Sequence, residues 1–173
     1  RLKESELMLQ ALNRNINNNR ATIKTYLGVE QRKDALRSAD FVVNAIQVGG
    51  YDPCTIIDFE VPKKYGLRQT IGDTLGIGGI MRALRTIPVL EDFARDMEEV
   101  CPNAYFLNYT NPMSILTGYM LRYTPIKTVG LCHSVQVCSR HLLQSLGMED
   151  KIEGCRDLIA GINHMGWLLE IYD

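Results

Sequence analysis

Apolar residues at Leu2, Leu9, Leu12 and Ile16, flanked by Leu7, Met8 and Ala11, recur at helical spacing. They predict an amphipathic helix from Leu2 to Asn15, closed by the turn-formers that run on to Asn19. Ala21 to Leu27 alternates and carries β-branched residues, which predicts a short strand. A short helix is expected from Glu30 to Arg37. Phe41-Val42-Val43-Asn44-Ala45-Ile46 is a continuous apolar run of the kind found in a central parallel strand buried on both faces. A helix is predicted from Thr55 to Lys64. Glycines punctuate Gly66 to Gly79, and a long helix follows from Ile80 to Val100, bent or interrupted near Pro88.

The same pattern continues with a strand at Ala104–Leu107, a helix from Pro112 to Tyr123 and a strand at Lys127–Leu131. Proline suits the first turn of that helix. Val135 to Leu146 reads as a helix closed by Gly147, and Ile152 to Tyr172 as two strands around Gly161-Ile162-Asn163-His164. Strands alternating with helices imply βαβ units, right-handed crossovers and a mostly parallel sheet, the α/β class. Residues 1–150 are expected to form that domain. Tight β pattern from residue 151 to 173 is expected to begin a second, α+β domain. The chain opens on Arg1 inside a helical pattern, without an initiator Met, and stops at Asp173 after an apolar run. Both ends are therefore expected to be cut, with a strand missing before the first helix.

Composition narrows the class. Across 173 residues the chain is 46% hydrophobic and 23% charged, enough apolar material for a packed core. A net charge of -1 gives no basic field that would recommend nucleic acid or a membrane surface as partner. Five cysteines, odd in number and irregularly spaced, point to a reduced cytoplasmic protein rather than a disulfide scaffold.

Ligands of open parallel sheets bind at the carboxyl ends of the strands. Two predicted strands end in Asn108 and Asn111 and in Cys132 and His133, so these residues are expected to share one pocket. An asparagine offers donor and acceptor together, which suits polyols, but Asn-Pro is also a common turn. Cys132 reads as a metal ligand or nucleophile, or as a small buried hydrophobe. His164 reads as a metal ligand with Cys132 or as a satisfied turn histidine, and His141 as surface or core filler. Asp73 to Gly79 reads as a phosphate cradle, which Asp73 would oppose, as a glycine turn, or as a loop that brings Asp73 into the pocket. Arg82 and Arg85, one helical turn apart, suit an anion or ordinary salt bridges.

Several of these segments together resemble the family 4 glycoside hydrolases, closest to the melibiase-type α-galactosidase branch. They are Asn108-Tyr-Thr-Asn111-Pro112, Val129-Gly-Leu-Cys132-His133-Ser134-Val135-Gln136 and Ala160-Gly-Ile-Asn163-His164-Met165. Asn44-Ala-Ile-Gln47-Val-Gly-Gly50-Tyr51 and Gln69 to Gly79 look like the same branch. The similarity runs over essentially the whole chain, in the right order.

The resemblance implies a Rossmann-like sheet of the lactate and malate dehydrogenase kind, and an unusual chemistry. The NAD-dependent family is an exception to two-carboxylate glycoside hydrolysis. NAD⁺ oxidises the sugar at C3, a divalent metal such as Mn²⁺ stabilises the enolate, and a base removes the C2 proton. The aglycone is then eliminated, water adds, and the ketone is reduced again. Carried over by residue, Cys132 and His164 match the metal ligands and Asn111 a substrate-binding asparagine. Asn108 is placed beside the nicotinamide, and Gln47 is assigned to the same cofactor. His133 stands where related members carry an aspartate proposed as the leaving-group acid. Asp73 aligns with an acidic residue thought to tune the catalytic tyrosine.

Cys-His-Ser at 132–134 is similar to the pattern for unphosphorylated α-galactosides, and no arginine stands between Tyr51 and Ile57 for a sugar phosphate. The expected partner is a small glycoside, with a homo-oligomer as the expected assembly. The NAD pyrophosphate loop and the tyrosine base are expected outside residues 1–173, so this stretch alone is expected to be inactive. The alternatives are other family 4 specificities (α-glucosidase, α-glucuronidase, 6-phospho-glycosidase), a 2-hydroxy-acid dehydrogenase, and a non-catalytic NAD- or sugar-binding regulator.

Overall fold

Helix α1 (Leu2–Ile16) opens the chain in the computed structural model, which describes residues 1–172. A 3₁₀ turn at Val29–Gln31 leads into α2 (Arg32–Leu36), β1 (Phe41–Asn44) and, after an irregular turn at Gly50–Thr55, α3 (Ile56–Lys64). Then come α4 (Gly76–Val100), β2 (Tyr105–Asn108), α5 (Met113–Tyr123), β3 (Lys127–Gly130) and α6 (Ser134–Ser145). A hairpin of β4 (Arg156–Ile162) and β5 (Met165–Tyr172) follows. Strands β1, β2 and β3 pair in parallel in that order, and the hairpin is a separate antiparallel sheet. The α/β class and the parallel sheet agree with the sequence pattern. No helix among the described residues is long and apolar enough to cross a membrane.

Register decides what meets at the sheet's end. Asn44 of β1 lies opposite Asn108 of β2, which lies opposite Gly130 of β3. Successive side chains alternate between faces. Phe106, Asn108, Asn44 and Thr128 point into the fold and are buried, whereas Phe41, Val43, Tyr105 and Val129 lie on the opposite face and are exposed. The buried face carries the core: Phe106 packs with Leu90, Ala94 and Met97 of α4 and Leu116 and Met120 of α5. On the open face Phe41 and Tyr105 stack at 6.0 Å between ring centroids.

Four expectations are corrected. Among the described residues the run from Phe41 forms the first strand of the three-stranded sheet, with one face covered by α4 and α5, and it ends at Asn44 rather than Ile46. Ala21–Leu27 is not a strand. At its two ends, side chains take up backbone groups of Ala21 and Leu27, and no neighbouring strand pairs with it among the described residues. Asn13 both accepts from the Ala21 amide and donates to its carbonyl, and Gln31 accepts from the Leu27 amide.

Helix α4 begins four residues earlier than expected, at Gly76, and runs without a break through Pro88. Its glycines belong to the first helical turn because the preceding loop passes too close for side chains. A Cβ on Gly78 would lie 2.4 Å from the Asp58 carbonyl oxygen, and one on Gly79 would lie 2.6 Å from the backbone of Thr74. The predicted helix from Glu30 is split into a 3₁₀ turn and a five-residue α-helix.

Candidate functional site

The carboxyl end of β2 is held by a closed amide network. Asn108 Oδ1 accepts from Asn44 Nδ2 at 2.8 Å and from the Thr110 amide at 3.1 Å. Its Nδ2 donates to the Thr110 carbonyl at 3.3 Å and to Thr117 Oγ1 at 3.2 Å. An amide side chain has two donor hydrogens and two acceptor lone pairs. All four are used, and Asn108 is fully buried. Its side chain is committed within the protein, where it fixes Asn44, Thr110 and the start of α5.

Asn111 follows on an open loop. Its Oδ1 accepts from the Met113 amide at 3.3 Å, and its carbonyl accepts from Arg82 Nε at 3.2 Å. Among the described residues no hydrogen-bond acceptor pairs with its Nδ2. Arg82 is buried and also donates to Thr55 Oγ1 at 3.3 Å, yet no carboxylate pairs with it among the described residues. Gln47 sits at the far side, beyond β1, where its Nε2 donates to Thr55 Oγ1 at 3.0 Å. Its side-chain carbonyl stays available to a ligand. Arg85 is a structural cation. It grips the buried Asp58 carboxylate through two nitrogens, at 3.2 and 2.6 Å, and that pairing holds its guanidinium above its ordinary pKa.

The second half of the site forms where β3 ends. The Leu131 amide donates to the Asn108 carbonyl at 3.0 Å, so Cys132 leaves the sheet directly beside the amide network. Its Sγ lies 3.4 Å from Ser134 Oγ. Burial pushes the Cys132 thiol up, but hydrogen bonds from the Ser134 hydroxyl and amide, the Asn163 side chain and the His164 amide outweigh it. The thiol is held below its ordinary pKa. Donors that converge on a sulfur favour its thiolate, the form that binds metals and attacks electrophiles.

His164 arrives from the hairpin turn, in a left-handed backbone conformation (φ 61°) uncommon outside glycine. Its Nδ1 lies 3.0 Å from Thr74 Oγ1, which donates to Asp73 Oδ1 at 3.2 Å. Cys132, Ser134, Asn163, His164, Gly130 and Met113 line one cavity of about 500 Å³. Cys132 and His164, far apart in sequence, are thus brought together, and Asp73 joins them through Thr74. His133 is not: it caps α6 with an exposed side chain and does not line the cavity.

A divalent metal fits this donor set only as an open site. Among the described residues no group of three or more His, Cys, Asp or Glu side chains could hold a metal ion, so Cys132 and His164 would supply two ligands and substrate or water the rest. Asn163 Oδ1 is buried beside them with no hydrogen-bond partner. An orphaned carbonyl oxygen is costly and marks a place where a bound group belongs. For a dinucleotide, no strand among the described residues runs into a glycine-rich pyrophosphate loop of the G-x-G-x-x-G kind.

Reading the sequence singled out Cys132, His164 and Asp73. Thr74, Ser134 and Asn163, each next to one of those three, carry no assigned site role in the sequence reading. Adjacency to a ligand in a tight turn was the available signal.

The sequence pattern of the family 4 glycosyl hydrolases matches residues 1–148. An α-galactosidase of Bacillus subtilis (strain 168) is 64% identical over 171 residues, 99% of this chain and 38% of that protein. An α-galactosidase of Rhizobium meliloti (strain 1021) is 41% identical over 142 residues, 81% of this chain and 28% of that protein. A 6-phospho-β-glucosidase of Thermotoga maritima, solved with manganese, NAD⁺ and glucose-6-phosphate, superimposes with a TM-score of 0.71 at 25% identity. That match covers 82% of this chain and 35% of the solved one. The chain spans between 28% and 38% of these proteins' length.

Proposed function

Because the chain belongs to family 4 of the glycosyl hydrolases, we propose that the whole protein hydrolyses α-galactosides by oxidation and elimination, with NAD⁺ and a divalent metal such as Mn²⁺. The convergence of Cys132 and His164 on one cavity carries this reading. Bound there, NAD⁺ supplies reversible oxidation at sugar C3 and the metal supplies Lewis-acid stabilisation of negative charge on the sugar oxygens.

The chain's own residues orient the substrate and the metal. Cys132 and His164 would hold the metal, Cys132 as a thiolate favoured by its ring of donors. A thiolate is an atypical ligand for Mn²⁺, which prefers oxygen and nitrogen, so a site built on Cys132 would need oxygen donors from beyond these two side chains. Asn111 directs its free Nδ2 at a sugar hydroxyl, held by its bonds to Met113 and Arg82. Gln47 offers its carbonyl to the dinucleotide. His133, exposed beside the cavity mouth, acts on the leaving group only if the bound glycoside extends to it. The 64% identity to an α-galactosidase favours galactose over other sugars, and the absence of arginine from Tyr51 to Ile57 speaks against a sugar phosphate. Five cysteines, odd in number and irregularly spaced, support a reducing, cytoplasmic setting.

The test is hydrolysis of an aryl α-galactoside by the full-length protein under reducing conditions, with NAD⁺ and Mn²⁺ each present or withheld. Dependence on both is expected. Activity indifferent to NAD⁺ would contradict the mechanism, and activity confined to another glycoside would correct the substrate.

A further inference from the structure

Thr74 joins two parts of the fold that share no secondary-structure element. It belongs to the loop that enters α4, while His164 belongs to the β4–β5 turn. The threonine is 3% exposed, and its position is fixed on several sides. Its amide donates to the Ile71 carbonyl at 3.0 Å, and the Leu75 amide donates to the same oxygen at 2.8 Å. Gly79 packs so closely on its backbone that a methyl group there would clash. A hydroxyl on so constrained a backbone can hold a partner in place.

Proton counting sets the direction of the chain. A threonine hydroxyl has one hydrogen, and an ionised carboxylate can only accept. Asp73 Oδ1, at 3.2 Å, takes that hydrogen. The hydroxyl oxygen can then only accept from His164 Nδ1, at 3.0 Å. The reverse arrangement would set a bare carboxylate against a hydroxyl oxygen with no hydrogen between them. Nδ1 therefore carries the imidazole hydrogen, and the lone pair lies on Nε2.

We propose that Thr74 is a positioning residue for His164: its hydroxyl, bridging Asp73 and Nδ1–H, fixes the tautomer and ring direction that present Nε2 to a divalent cation. The inference rests on the reading of Cys132 and His164 as metal ligands. It gives Asp73 a task within this chain, as the end of a carboxylate–hydroxyl–imidazole relay. Partners of this kind orient metal-bound histidines and raise their basicity.

The experiment uses full-length protein labelled with ¹⁵N-histidine and stripped of metal, as wild type, Thr74→Val and Thr74→Ser. Histidine ¹⁵N spectra report the tautomer, and paramagnetic resonance of free Mn²⁺ reports affinity. His164 is expected as the Nδ1–H tautomer in wild type and Thr74→Ser, and as a mixture or Nε2–H in Thr74→Val. Mn²⁺ affinity should fall about 10–100-fold in Thr74→Val and stay close to wild type in Thr74→Ser, which separates the hydroxyl from any effect on folding. Unchanged tautomer and affinity in Thr74→Val, in a wild type that binds Mn²⁺, would overturn the positioning role alone. A wild type that takes up no Mn²⁺ would overturn the metal reading and the inference with it.

Discussion

Two cysteines show how environment divides one chemistry. Cys101 is buried among apolar side chains at the end of α4, and burial raises its thiol pKa. Cys132 is partly buried too, but its ring of donors reverses the effect. Thiolate is the reactive form, so at neutral pH iodoacetamide should modify Cys132 well before Cys101. The Cys132 rate should reach half its maximum at a lower pH than an ordinary thiol, falling away as acid protonates the sulfur. Peptide mapping of alkylated protein against pH checks this, and equal rates at the two sites would contradict it. A second prediction concerns Asp58, whose side chain is 3% exposed and gripped by Arg85. Arg85→Met should cost about 3–5 kcal/mol in urea unfolding, because a buried carboxylate is left without its cation. A loss within error would mean water already reaches Asp58.

At the scale of elements, the first turn of α4 separates two kinds of glycine. Gly79→Ala should destabilise by about 1–3 kcal/mol, since the added methyl meets the Thr74 backbone. It should also disturb Thr74 and weaken Mn²⁺ binding. Gly118, inside α5 with open space around its missing side chain, should behave oppositely, Gly118→Ala stabilising by about 0.5–1 kcal/mol. Thermal unfolding of the two variants checks the pair. The same glycines explain where reading the sequence fell short. Gly76, Gly78 and Gly79 resemble a loop because glycine weakens helices locally, whereas packing against Asp58 and Thr74 is the stronger influence and is invisible in one dimension. Ala21–Leu27 failed for the complementary reason. Alternation suggests a strand, but a strand needs a neighbour; none pairs with it among the described residues, and Asn13 and Gln31 take up backbone groups at its two ends.

In the whole molecule, the order of strands and helices and the parallel sheet were legible because hydrophobic period and chain order constrain them strongly. Burial was less so. Phe41 and Val43 read as interior positions, and among the described residues no helix covers the face they share with Tyr105 and Val129. The site was legible only in part. Cys132 and His164 are separated by α6 and β4, with no local spacing to announce a metal, and it was a resemblance to a family that joined them. The network around them, Thr74, Ser134 and Asn163, required coordinates. So did the finding that Asn108 is consumed by its own hydrogen bonds.

The central claim is that the glycosidic bond is broken by removing the C2 proton rather than by direct displacement at C1. Hydrolysis of an α-galactoside by the full-length protein in D₂O, with NAD⁺ and Mn²⁺, tests it most directly. The account predicts galactose that carries solvent deuterium at C2, because a proton taken by an exchangeable base is returned from the solvent pool. Galactose formed at full rate with its C2 hydrogen entirely retained from substrate would contradict it.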